Sequence, residues 1–181
     1  MEPVSRTNTL QMKTLSIFIF FIFFHNFGQT VNDLIIKKVN QYRKEYNLTP
    51  LKYSSEAKLA NSQMLTYMIE TSTMPLDHSQ KIPSSFGKTF DNFSDRITYL
   101  YGYNYEYIGE NLCTFDDKKT DEERANKVLE IWKKSPAHNA LLLSVKYDGV
   151  CVGSKVSNTI YYGNLYYENT PTFYCVLTMY K

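Results

Sequence analysis

The order of hydrophobic periodicities along the chain constrains its fold more than any other feature. Before about residue 142, apolar residues recur at helical spacing, as in residues 31–46, where Val31, Ile35 and Val39 share one face. After residue 149, stretches rich in Val, Ile and Tyr are separated by Asn, Ser, Gly and Pro, a pattern typical of antiparallel strands joined by turns. We predict strands over residues 149–153, 159–167 and 173–180. Helices first and strands last favour helices packed around an antiparallel sheet over a doubly wound parallel fold.

Capping signals place further helices before these strands. A second helix is expected to start near Ser54 or Ser55, and a short helix over 91–101 is expected to stop at Gly102. Thr120-Asp121-Glu122-Glu123 has the spacing of a capping box and predicts a helix to about residue 134. Ser135 followed by Pro136 predicts the cap and first position of another short helix.

A short apolar run near the N-terminus indicates secretion. Residues 15–24 read LSIFIFFIFF and follow Lys13, which matches the apolar and basic regions of a signal peptide. A run of ten residues is too short for a membrane-spanning helix, which needs about 20 residues, although an uncleaved anchor is the alternative. We expect cleavage after Gly28 or Thr30, and translation could start at Met12. Residues 1–30 are therefore assigned to a signal-peptide region and residues 31–181 to one domain, with no stable membrane anchor after cleavage.

Charge and composition exclude several classes of protein. The 20 basic and 18 acidic residues give a net charge of +2, so nothing indicates the clustered basic surface of a nucleic-acid-binding protein. The sequence has no phosphate-binding loop, dinucleotide fingerprint or zinc-finger spacing. We expect no nucleic-acid partner and no required cofactor.

Three cysteines and two glycosylation sequons follow the signal region. Cys151 and Cys175 fall in predicted neighbouring strands, so we expect them to form a disulfide that leaves Cys113 unpaired. Pairing of Cys113 with Cys151 is the alternative. Asn47 and Asn92 begin Asn-X-Thr and Asn-X-Ser sequons in loop-like stretches and are expected to carry glycans.

A set of short motifs surrounds the two histidines that follow the signal region, His78 and His138. In chain order these motifs are Asp77-His78-Ser79, Tyr101-Gly102-Tyr103, Ile108-Gly109-Glu110-Asn111-Leu112 and Trp132-Lys133-Lys134-Ser135-Pro136-Ala137-His138-Asn139. Their order and spacing over about residues 33–180 resemble the CAP superfamily of cysteine-rich secretory proteins, antigen 5 and pathogenesis-related proteins of class 1. The similarity is greatest to the shorter, bacterial-like form of the domain.

The resemblance implies an α/β (α+β) fold, an α-β-α sandwich with a short antiparallel sheet between helical layers. It also implies a cleft with two histidines and two acidic residues. His78, His138 and Glu110 match three of these positions, with Glu110 in a tight Gly-Glu-Asn turn, and Ser135 occupies the place of the second acid. His78 and His138 are the expected metal ligands, and two imidazoles predict weak zinc binding completed by water. A purely structural hydrogen-bond network around Glu110 is the alternative.

The expected function is that of a secreted, extracellular binding or interaction module that binds a lipid, a divalent metal or another extracellular protein. The alternative is a metal-assisted hydrolase that uses His78, Glu110 and His138. No nucleophile supports this second interpretation, because Ser79 directly follows His78 and Ser135 is better explained as a helix cap.

Overall fold

The computed structural model describes residues 29–71, 77–81, 87–102, 105–117, 119–162 and 165–181. Its elements, in chain order, are α1 (Val31–Glu45), β1 (Lys52–Tyr53), α2 (Lys58–Thr71), α3 (Phe93–Tyr101), β2 (Ile108–Asp116), α4 (Asp121–Lys134), α5 (Pro136–Leu142), β3 (Gly149–Tyr162) and β4 (Leu165–Tyr180). The apolar run of the predicted signal peptide lies outside the described residues. Within the described ranges, no helix is both long and apolar enough to cross a membrane.

The four strands form one mixed sheet in the order β1-β3-β4-β2. Strand β4 lies in the interior and pairs antiparallel with both β2 and β3, whereas β1 pairs in parallel with β3 over two residues. The prediction of three short C-terminal strands was wrong in its boundaries, because the structure has two long strands with a register shift between Ser157 and Thr159. The turn-forming residues near Ser157 therefore produce an irregularity within β3 and do not end the strand.

Helices cover both faces of this sheet, so the predicted α-β-α sandwich is confirmed. Helices α1, α4 and α5 pack on one face, where Ile35, Val128 and Trp132 join a core with Phe173 and Leu177 of β4. Helix α2 packs on the other face through residues that meet the alternate side chains of the strands. The members of this second core are Met64, Leu65, Tyr67, Met68, Ile69, Leu112, Tyr174 and Val176. The two cores follow from the period-2 alternation of β4.

Most of the predicted helix ends are present. Thr120 and Glu123 form the expected capping box of α4, and Gly102 ends α3 in the left-handed conformation. One cap prediction was wrong, and one was confirmed in position only. Helix α2 begins at Lys58, after Ser54 and Ser55, and Ser135 stands at the N-cap of α5 without a capping hydrogen bond from its side chain.

The predicted Cys151–Cys175 disulfide is absent, and all three cysteines are free thiols. Cys151 lies opposite Thr178, three residues along β4 from Cys175. This offset corresponds to about 10 Å along the strand and puts the two side chains on opposite faces of the sheet. The same alternation separates Cys113 from Cys151, because Cys113 lies directly opposite Cys175. Sequence reasoning placed the cysteines in neighbouring strands but could not supply this register.

Candidate functional site

Glu110 is the centre of a buried polar cluster on the face of the sheet that α2 covers. It lies in β2 opposite Thr178, and its side chain has no solvent exposure. Its Oε1 contacts Nδ1 of His78 at 3.0 Å, and its Oε2 accepts a hydrogen bond from Nη2 of Arg96. Both oxygens of this carboxylate therefore have charged or polar partners, as a buried charge requires.

Arg96 is the partner that sequence reasoning missed. Its side chain is fully buried in α3 and also contacts Sδ of Met64 through Nη1, at 3.3 Å. Burial lowers the pKa of Arg96, and the charge and hydrogen bond of Glu110 oppose this shift. The sequence did contain a signal, since Arg96 lies three residues after Phe93 and next to Ile97, on the predicted inward face of the helix. A basic residue within an apolar helical stripe indicates a buried partner of opposite charge.

His78 reaches Glu110 from a loop, and its side chain is 37% exposed. An isolated β-bridge between Gln80 and Phe90 fixes this loop beside the start of α3. The imidazole of His78 also lies 5.9 Å from the ring of Phe93, measured between centroids. Because Nδ1 of His78 is engaged by Glu110, the Nε2 atom is the ring nitrogen available to a ligand.

The loop before His78 has its own local hydrogen bonds. The backbone nitrogen and the hydroxyl of Ser79 donate to the carboxylate of Asp77, at 3.0 and 2.7 Å. These two bonds lower the pKa of Asp77. Ser79 is thus a turn-forming residue, and its hydroxyl already donates a hydrogen bond to Asp77.

His138 comes from α5, whose backbone is attached to β2. The side-chain amide of Asn111 donates to the carbonyl oxygen of His138 at 3.2 Å. Nδ1 of His138 is buried and has no hydrogen-bond partner among the residues that the structure describes. Burial lowers the pKa of His138, and the positive charge of His78 lowers it further. The side chain of His138 is therefore within electrostatic reach of His78.

Ser135 and Gly109 differ from their predicted roles. Ser135 is half-buried at the junction of α4 and α5, where it occupies the N-cap position without a capping hydrogen bond from its side chain. Gly109 lies inside β2 and not in a tight turn. A Cβ atom built there would lie 2.2 Å from Cδ1 of Leu141 and 2.9 Å from the hydroxyl of Tyr147. Glycine is needed at this position because α5 approaches the strand closely.

The chemistry available to the cluster is limited by the number of ligands. No group of three or more His, Cys, Asp or Glu side chains within the described ranges is arranged to hold a metal ion. Glu110 already binds Arg96 and His78, which leaves the two imidazoles as nitrogen donors. Two imidazoles fall short of the three or four protein ligands of tightly held zinc.

Solved structures similar to this chain are bacterial surface and extracellular proteins. An outer surface protein of Borrelia burgdorferi has a TM-score of 0.57 at 18% identity, and the match covers 83% of this chain and 92% of that protein. An extracellular protein of Bacillus anthracis that contains an SCP domain has a TM-score of 0.55 at 19% identity, with 83% of this chain and 40% of that one covered. A cysteine-rich secretory protein of Staphylococcus aureus has a TM-score of 0.52 at 15% identity, with coverage of 86% and 40%. The chain thus spans nearly all of the first protein and about two fifths of the other two.

Comparison of the sequence with protein families identifies the domain. No curated protein matches the sequence. The model of the cysteine-rich secretory protein family, abbreviated CAP, matches residues 36–178, which include every element from β1 to β3 and the cluster around Glu110. This match covers most of the chain and agrees with the fold of the three bacterial structures. The chain therefore belongs to the cysteine-rich secretory protein (CAP) family.

Proposed function

We propose that this protein is an extracellular binding module and that its ligand site is the cleft formed by His78, Glu110 and His138. Family membership supports an extracellular location, as do the similar bacterial proteins, which are described as extracellular or outer-surface proteins. One observation carries the choice of a binding function over a hydrolytic one: both carboxylate oxygens of Glu110 are already engaged, by Arg96 and His78.

A metal-assisted hydrolase needs a general base and a tightly held ion, and this cluster favours neither. A carboxylate that is buried and paired with a guanidinium is a poor acceptor for a proton from water. The hydroxyl of Ser79 donates to Asp77, and the lowered pKa of Asp77 makes this carboxylate a weak base for activating a nucleophile. The buried ion pair is better suited to holding His78 in one orientation, with its outer nitrogen directed at a ligand.

Divalent metal is one ligand class that the residues fit. Zinc would use one nitrogen of each imidazole, and water would complete its coordination. We expect zinc to bind with micromolar or weaker affinity, because the second acid of the family pattern is replaced by Ser135. Chelators should therefore remove the ion readily. An extracellular lipid or protein partner is the other class, and the Tyr-rich composition of the sequence over residues 161–167 is suited to such contacts.

Three measurements on protein secreted into culture medium test this proposal. Mass spectrometry of an organic extract detects a co-purified lipid, and N-terminal sequencing locates the mature start, expected at about residue 29–31. Calorimetric titration with zinc should show weak binding that falls in both His78→Ala and His138→Ala. Equal zinc binding in all three proteins, together with an empty lipid extract, would refute the cleft as the ligand site.

The hydrolase alternative has a different outcome. Zinc-dependent hydrolysis of ester or peptide substrates that disappears in His78→Gln and in His138→Gln would contradict a binding role. Hydrolysis that persists in the doubly substituted protein would come from another site or from a contaminant.

A further inference from the structure

We propose that Cys113 and Cys175 form a cross-strand disulfide when the protein is oxidised, and that Cys151 stays a free thiol. This bond is independent of which ligand the cleft binds. It would join β2, the strand that carries Glu110, to the interior strand β4.

The register of the sheet gives the pair a suitable separation. Cys113 and Cys175 are directly opposite each other in an uninterrupted ladder between β2 and β4. At one end of the ladder, Tyr107 and Lys181 exchange both backbone hydrogen bonds, at 3.3 and 3.0 Å. Each cysteine lies six residues from that pair, so Cys113 and Cys175 also form a hydrogen-bonded pair, for which the Cα atoms are about 5.5 Å apart. Disulfides usually span Cα separations of about 4.4–6.8 Å.

The side chains also meet within one core. Both cysteines belong to the core that α1 and α4 cover, with 2% exposure for Cys113 and none for Cys175. Burial raises the pKa of Cys175 well above its usual value, and the neighbouring thiol of Cys113 raises it further. The Cβ atoms of a hydrogen-bonded pair lie towards the upper end of about 4.5–5.5 Å, whereas a disulfide needs about 3.5–4.5 Å, so the two strands must move about 1 Å closer as the bond forms.

Cys151, the third cysteine, is separated from Cys113 and Cys175 by the sheet. Cys151 lies on the opposite face, packed with Ala57 and Tyr180. A sheet layer therefore separates Cys151 from the other two thiols.

The reaction requires a small-molecule disulfide as oxidant, such as oxidised glutathione. The thiolate of one cysteine attacks that disulfide, forms a mixed disulfide and releases one glutathione thiolate, which takes up a proton. The second cysteine then loses its proton and displaces the second glutathione. The protein loses two hydrogens, one sulfur–sulfur bond is exchanged for another, and two molecules of reduced glutathione are produced.

The experiment uses the mature chain refolded from urea in a glutathione redox buffer, so that both thiols are accessible before the core closes. Trypsin places the three cysteines in separate peptides, 97–118, 147–155 and 156–181. We expect a cross-link between peptides 97–118 and 156–181, a loss of two hydrogens in the intact mass and one thiol that alkylates in urea. The oxidised protein should melt about 5–10 °C above its reduced form, since the bond closes a long loop.

Matched variants separate this pair from the other possibilities. Cys151→Ala should keep the cross-link, whereas Cys113→Ala and Cys175→Ala should each abolish it. A cross-link that contains peptide 147–155 would overturn the proposal, as would three free thiols at equilibrium with excess oxidised glutathione, or stable glutathione adducts as the end product. An oxidised form that melts no higher than the reduced form would show that the native register does not accommodate the bond.

Discussion

Replacement of Arg96 by methionine tests whether the buried ion pair organises the cleft. The side chains of Arg96 and Glu110 both have no solvent exposure, so water does not screen their attraction. In Arg96→Met, the apolar stem is largely retained, the contacts of the guanidinium with Glu110 and Met64 are lost, and Glu110 keeps only His78 as a partner. Removal of one member of a buried pair costs about 3–5 kcal/mol of unfolding free energy, because the remaining charge is uncompensated.

The double variant Arg96→Met/Glu110→Gln distinguishes this effect from a general packing defect. Glutamine retains an oxygen that can accept from Nδ1 of His78 but carries no charge. We expect the double variant to unfold within about 1–2 kcal/mol of the native protein, since replacement of a whole buried pair by neutral groups is often nearly neutral. The two substitutions should therefore be strongly non-additive.

The assay is urea unfolding under reducing conditions. Trp132, the only tryptophan of the chain, is fully buried in the folded state, so its fluorescence reports unfolding. Lys134→Met is the control, because it removes a surface pair with Glu130 in which the lysine side chain is 73% exposed, and its unfolding midpoint should not change measurably. The reasoning is refuted if the single and double variants lose the same stability, or if Arg96→Met is as stable as the native protein.

Three further predictions follow from individual contacts. The pKa of His138 is lowered in the folded protein, so its imidazole binds a proton more tightly in the unfolded state. The unfolding free energy should therefore fall as the pH decreases from about 7 towards 5. Urea melts at several pH values should show a smaller fall in His138→Gln and the same fall as the native protein in the exposed-site variant Lys134→Met. Gly109→Ala should lose about 1–3 kcal/mol through the clash with Leu141, and the loss should shrink in Gly109→Ala/Leu141→Ala; purely additive losses in thermal melts would argue against the close approach. The amide nitrogen of Asn92 already donates to Asp95 at 2.8 Å, whereas Asn47 is exposed in a left-handed turn, so Asn47 should carry the greater share of glycan. The mass lost on glycosidase treatment of Asn47→Gln and of Asn92→Gln measures this share. Equal glycan occupancy at the two sites would show that the hydrogen bond from Asn92 to Asp95 does not hinder glycosylation.

Much of the fold was predictable because its signals are local. The capping box at Thr120, the glycine stop at Gly102 and the helical stripe of α1 depend on residues a few positions apart, and all three are present in the structure. Tyr46, the last member of that stripe, is 53% exposed because it lies beyond the final turn of α1. Local patterns thus identified the helices but were least accurate at element ends.

The features that were not predictable depend on register and on partners distant in the sequence. The disulfide prediction failed because strand membership does not specify which residues face each other, and an offset of three positions moves a side chain to the other face. The role of Gly109 was misassigned because the approach of Leu141 comes from a helix more than 30 residues away. Arg96 was missed because the carboxylate that it binds, on Glu110, lies 14 residues later in a different element, and the helical pattern does not identify that partner.

The interior position of β4 has a consequence for the order of events during synthesis. Strand β4 follows every other element in the chain, yet both β2 and β3 pair with it. A ribosome that feeds the chain from its N-terminus therefore delivers all of the helices before the strand that joins the two halves of the sheet. Until β4 emerges, β2 has no neighbour on its β4 side and both apolar layers lack their common support. We expect the sheet to form only after synthesis of β4 is complete. Until then, chaperones would have to shield the apolar faces of the nascent helices.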